Sequence, residues 1–344
     1  MKKLLALVIA SSIVFGLTAC AAQTEETTEE ASSATEVSGE DETAVSDEET
    51  YDYPVLELSG DASDTYNIDE RSYYEGDRFV LYFDEGAVVH GNVADEISRI
   101  MDMNEELFGM SYDVNDYVHE SDWREYYLGG DFQGINSDMS KLNIIITPDP
   151  NNGNVEWSNG NVMMIYDEDL ERGHGSYDTL YHELAHMLRL RQSNYLGSII
   201  EEGVALYAQT NLSRKDSYPD WSIIQYVDYG GYSSTYDQSA ITNDPETEFK
   251  LTMSEDSGAE QKQYQYGIRF VTFLIETYGI DVIEEMGQIS LDYDYEEHDA
   301  ETICRIIKEA TSDDVFIRFA EWLDSGWNDF GRDYVEYMNQ FGLA

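Results

Sequence analysis

His182-Glu183-Leu184-Ala185-His186 sets two imidazoles four residues apart, with a carboxylate beside the first. On an α-helix, positions i and i+4 lie one above the other on the same face. Two imidazole nitrogens so placed can share one Zn²⁺, with Glu183 set to take a proton from a water that the metal acidifies. The chain has 6 His in 344 residues, so chance alone produces this spacing in roughly one such chain in a hundred. The competing interpretation is a solvated helix with two incidental histidines. The neighbours argue against it: Leu180, Leu184, Met187 and Leu188 recur at helical spacing. They predict a largely buried helix from about Tyr177 to Arg191, with Ser176 as its N-cap. Buried imidazoles and a buried carboxylate need partners, and a metal supplies them.

Upstream, the first residues have the pattern of a processing signal. Lys2 and Lys3 precede an apolar stretch from Leu4 to Phe15, which is short for a membrane span. Leu17-Thr18-Ala19-Cys20 resembles a bacterial lipobox. That resemblance implies a signal peptide over 1–19, cleavage before Cys20 and a lipid on its thiol. The mature chain would then sit outside the cytoplasm, attached to the cell membrane. From Ala21 to Asp52 there are twelve acidic residues and no Lys or Arg. Nothing there can form a core, so 20–52 is expected to be a self-repelling, disordered tether.

The rest of the chain, 53–344, is long enough for one large domain or two lobes. With Cys20 lipidated, Cys304 has no disulfide partner, and its neighbours Ile303, Ile306 and Ile307 make it a small core residue. A formal net charge of −52 argues against nucleic acid and anionic lipid surfaces as partners. Such a field would attract basic peptides, though simple colloidal repulsion accounts for it as well. Oligomeric state is not readable from the sequence.

Hydrophobic periodicity predicts strands at 78–83, 142–147 and 160–166, the last after the turn-rich Asn151 to Asn154, and a helix over Ala94 to Leu107. Beyond the HELAH helix, helices are expected near 199–210, 261–278, 281–290, 299–310, 313–324 and 328–340. The segment 213–256, rich in Tyr, Ser, Asp and Gly, is expected to be extended loop. The fold class is therefore α+β. A mixed-sheet lobe over about 53–180 precedes a mostly helical lobe over 181–344.

A zinc site with an open position needs a third protein ligand. Ile199-Ile200-Glu201-Glu202-Gly203-Val204-Ala205 is the best candidate segment, with either acid able to serve. This segment resembles the ligand helix of the gluzincin metallopeptidases, in the branch of aminopeptidase-N-like and peptidase-MA-like proteins. The resemblance implies a thermolysin-like zincin fold, zinc held by His182, His186 and Glu202, and Glu183 as general base. Glu201 is the alternative ligand. In that branch a Tyr steadies the oxyanion from a Tyr-x-x-Gly helix. Tyr264-Gln265-Tyr266-Gly267, followed by Ile268 to Leu274 and Gly279, matches it at Tyr264, with Tyr266 as competitor.

The resemblance covers about 160–280 and departs in three places. The gap between His186 and Glu202 is shorter than in the aminopeptidases. No Gly-x-Met-Glu-Asn precedes HELAH, which removes the group that captures a substrate's free amine. The thermolysin-like Asp that orients a His ligand, four residues after the Glu, is replaced by Leu206. The expected function is a membrane-anchored, extracytoplasmic zinc peptidase acting on peptides or proteins. The alternatives are a zinc-binding surface lipoprotein that binds a protein or glycan, and a solute-binding lipoprotein, whose two α/β lobes the helical second half does not fit.

Overall fold

A computed structural model describes residues 56–61, 71–89, 91–113, 140–148, 157–158, 160–170, 178–217, 243–254, 260–293 and 299–324. The signal segment, Cys20, the tether, Ser176 and the helix expected at 328–340 lie outside them. No helix among the described residues is long and apolar enough to cross a membrane.

The strands are β1 (Gly60–Asp61), β2 (Ser72–Glu75), β3 (Phe79–Phe83), β4 (Leu142–Thr147), β5 (Trp157–Ser158) and β6 (Val162–Tyr166). They form one sheet in the order β1-β2-β3-β4-β6-β5. β3, β4 and β6 run parallel, with Leu81 opposite Ile144 and Ile145 opposite Met164. Every residue of these three strands is buried, as a parallel pair covered on both faces requires. That unbroken burial is why they were legible as apolar runs. The short flanking strands β1, β2 and β5 pair antiparallel and had no such signal.

Alternation sorts the strand residues onto two faces. Phe79, Leu81, Phe83, Ile144, Ile146, Met163 and Ile165 join the main core. Tyr73, Val80, Tyr82, Ile145, Val162 and Met164 make a second cluster on the opposite face. Helix α1 (Val93–Phe108) connects β3 towards β4 and buries Val93, Ile97, Ile100, Met101 and Phe108 in the main core.

Six further helices have the ranges α2 (Asp178–Gln192), α3 (Ser198–Ser217), α4 (Pro245–Ser254), α5 (Glu260–Tyr278), α6 (Val282–Ser290) and α7 (Ala300–Ala310). A last helix, α8, covers 315–324. α+β is thus the architecture, and its two expected lobes share one continuous core that runs from Phe79 to Leu323.

The expectation of a loop over 213–256 is corrected at both ends. α3 continues to Ser217, and α4 occupies Pro245–Ser254; 218–242 lies outside the described residues. α4 starts on Pro245, whose fixed φ and missing N–H suit a first helical turn. It is held by Phe249, fully buried against Tyr266, Phe270 and Phe316. A single aromatic anchor in a polar segment leaves little periodicity to read. Cys304 sits in the core as expected, and burial pushes its thiol up to about 12, which makes it inert as a nucleophile.

Candidate metal centre

α2 carries the HELAH stretch. Its apolar side chains predict a largely buried helix, and every residue from Leu180 to Arg191 is buried. The helix is a central strut, with the sheet on one side and α3 on another. β5 reaches it directly, the Ser158 hydroxyl donating to the Glu183 carbonyl at 3.2 Å. On a different flank Tyr112 donates its hydroxyl to the Leu184 carbonyl at 2.9 Å.

The structure brings His182, His186 and Glu202 together, all three buried. The two Nε2 atoms lie 3.1 Å apart. Glu202 Oε2 is 3.2 Å from Nε2 of His182 and 3.4 Å from Nε2 of His186. Four ligands placed tetrahedrally at the usual zinc distances of about 2.0–2.1 Å stand about 3.3–3.4 Å from one another. The triangle therefore has the size of one face of a zinc tetrahedron. Its chemistry agrees. Glu202 Oε2 is fully buried and, apart from the two facing imidazole nitrogens, has no polar partner among the described residues, a costly condition for a carboxylate oxygen. Two neutral imidazoles facing each other through Nε2 repel unless a cation or a proton lies between them. The donor set fits a Zn²⁺ ion.

Protonation of these groups follows the same geometry. Burial by itself would lower the pKa of His186, but the Glu202 carboxylate outweighs it and the value rises to about 9. Burial would raise Glu202, and the adjacent imidazoles pull it down instead, to about 2.

The choice between the consecutive acids is decided by what each carboxylate touches. Glu201 is buried and paired with Arg189 on α2, and its Oε1 accepts the Leu196 N–H at 2.7 Å. Arg189 also donates to Ser193 Oγ and to the Asn194 carbonyl, each at 2.6 Å. The alternative ligand Glu201 is thus committed to the connection between the ligand helices, and Glu202 is the acid aimed at the histidines. Asn194 in turn donates to the Ser290 carbonyl at 2.9 Å, so residues 193–197 are tied on both sides. Gly197 closes the connection at φ +83°, and a Cβ there would lie 1.8 Å from Met253 Cε. This explains how a short gap still delivers Glu202: the connection is a pinned turn.

The structure places Gly203 against α5, where its added Cβ would stand 2.4 Å from the Gly267 carbonyl oxygen. In the reverse direction, a Cβ on Gly267 would meet the Ile199 carbonyl oxygen at 2.4 Å. The two glycines let the helix of Glu202 and the helix of Tyr264 cross backbone to backbone.

That crossing brings Tyr264 to the site. Its ring centroid is 6.3 Å from that of His182. The competitor Tyr266 points away into the core, with Phe249, Phe319 and Phe270 at 5.7, 5.5 and 6.0 Å. Its hydroxyl is 3.5 Å from the Pro245 carbonyl. Glu183, next to His182 on α2, is buried, and no hydrogen bond to its carboxylate is found among the described residues.

One residue of the site escaped sequence reasoning. The side-chain oxygen of Gln209 lies 3.1 Å from Nδ1 of His182. It stands seven residues after Glu202, two turns along the same face of α3, and that spacing was the available signal. Strand β6 lies between β4 and β5. The sheet edge nearest α2 belongs to β5, whose Trp157 and Ser158 pair with Met164 and Met163.

No family model matches the chain, and comparison with curated proteins gives no match either.

Proposed function

We propose that this chain is a zinc-dependent peptidase of the gluzincin type with a thermolysin-like catalytic arrangement, tethered outside the cell through lipid on Cys20. The convergence of His182, His186 and Glu202 on one buried point carries this reading. Ligands of this kind leave a positive centre, since two imidazoles are neutral and one carboxylate carries a single charge. A zinc ion held by His182, His186 and Glu202 would supply a Lewis acid and would lower the pKa of the attacking water to about 7.

The protein groups divide the rest. Glu183 takes the proton from the attacking water and passes it to the leaving amine. Tyr264, whose ring lies beside that of His182, donates in this reading to the oxygen that gains charge as the carbonyl becomes tetrahedral. The absence of an amine-capturing motif favours no free N-terminus as a requirement. The partners in this reading are peptides or proteins outside the cytoplasm, not nucleic acid.

The test combines metal analysis with cleavage of a mixed peptide library, with and without chelator. Wild type should hold one zinc per chain and lose cleavage on chelation. Glu183→Gln should keep the zinc and lose turnover. Tyr264→Phe should keep the zinc and lower kcat by about 10²–10³-fold. Full hydrolysis by Glu183→Gln would refute the mechanism.

A further inference from the structure

We propose that Gln209 is the positioning residue of His182: its side-chain oxygen accepts the Nδ1–H and so aims the Nε2 lone pair at the point shared with His186 and Glu202. The inference rests on the zinc reading and deepens it.

An imidazole in its neutral form carries one proton, and the nitrogen without it is the one that can ligate. His182 faces His186 and Glu202 through Nε2. Its Nδ1 faces Gln209 Oε1 at 3.1 Å. An acceptor at Nδ1 selects the tautomer with the proton there, which leaves Nε2 free for the metal. It also fixes rotation of the ring about its Cβ–Cγ bond, since a turned ring would lose the contact. Groups in this position matter nearly as much as the ligands they hold.

The arrangement economises on structure. Glu202 and Gln209 lie on one face of α3, so a single helix supplies both a ligand and the group that orients the ligand opposite. Leu206, four residues after Glu202, is apolar and buried and offers no acceptor. Gln209 therefore takes over an orienting role with an amide. The amide brings no charge and accepts the Nδ1–H only as a hydrogen bond without taking up the proton, so the net positive charge set by the three ligands is preserved. A carboxylate there would cancel that charge and bind the cation more tightly.

The experiment measures the zinc dissociation constant of the full chain by chelator competition, together with the visible absorption band of the Co²⁺-substituted protein. Gln209→Leu should weaken zinc binding by about 10–100-fold and alter the Co²⁺ band. Gln209→Glu, which keeps an acceptor, should restore binding to at least the wild-type level. If wild type binds zinc and Gln209→Leu binds it equally well, the positioning role is overturned while the metal site stands. If Gln209→Glu stays as weak as Gln209→Leu, the acceptor is not what matters and the inference is equally overturned. Should Gln209→Leu fail to fold, the Gln209→Glu comparison with wild type still decides, since binding at or above the wild-type level is expected and weaker binding refutes. If wild type binds no zinc, the peptidase reading itself falls, and this inference with it.

Discussion

Removing the Arg189–Glu201 pair should cost more one residue at a time than both together suggest. The two side chains are only 1% and 3% exposed, so neither charge can recover water when its partner is deleted. Arg189→Met leaves the Glu201 carboxylate with the Leu196 N–H alone. Glu201→Leu leaves the guanidinium with Ser193 Oγ and the Asn194 carbonyl. Breaking a buried pair from one side costs about 3–5 kcal/mol, and each single variant should lose that much. The double variant leaves no unpaired charge, and only neutral groups of the 193–197 turn go unsatisfied, at about 1–3 kcal/mol apiece. Its loss should therefore fall short of the summed single losses by about 2–3 kcal/mol. Urea denaturation of metal-free protein measures this without the stabilisation that bound zinc would add. Losses that add to within about 0.5 kcal/mol would show that the two side chains do not depend on each other, and the account of the pinned turn would be wrong.

Metal-free protein should be most stable between about pH 4.5 and 6.5: His186, raised to about 9, contributes fully below its unfolded value and loses its contribution as pH rises through 9, while Glu202, lowered to about 2, contributes above 4.5 and loses it as pH falls through 2. The two shifts are one interaction seen from its two ends, so alkaline loss is about 3 kcal/mol counted once; an unchanged urea midpoint from pH 6 to 10, or the same loss in Glu202→Gln, would contradict it. Gly203→Ala places a methyl 2.4 Å from the Gly267 oxygen and should cost about 1–3 kcal/mol as α3 and α5 are forced apart, with weaker zinc binding as Glu202 moves; a variant as stable as wild type in urea would exclude the close crossing.

Much of the architecture was legible because local periodicity reports burial. β3, β4 and β6 are apolar runs because both faces of the sheet are covered. α1 and α5 to α8 announced themselves through apolar residues at helical spacing. α4 did not, because one phenylalanine holds it, and β1, β2 and β5 are too short to carry a pattern. Arg189 and Arg191 look in sequence like the exposed end of a helix, yet both are fully buried. Arg191 donates to the Gly160 carbonyl at 3.0 Å. Nothing local distinguishes a charged residue that meets a buried acceptor from one that meets water.

By itself, the sequence determined that His182 and His186 share a face with Glu183 beside them, because a helix of 3.6 residues per turn leaves no other outcome. It also narrowed the proposed third ligand to two adjacent acids and the proposed oxyanion donor to two nearby tyrosines. Only the tertiary structure separated these pairs. Adjacent helical residues such as Glu201 and Glu202 point about 100° apart, and residues two apart such as Tyr264 and Tyr266 about 200°, so each pair had to divide between two neighbours. Glu201 turns to Arg189 and Glu202 to the histidines; Tyr266 turns into the aromatic core and Tyr264 to His182. Which member faces which neighbour depends on how α2, α3 and α5 cross, and that crossing is set by contacts such as Gly203 against Gly267, 64 residues apart in the chain.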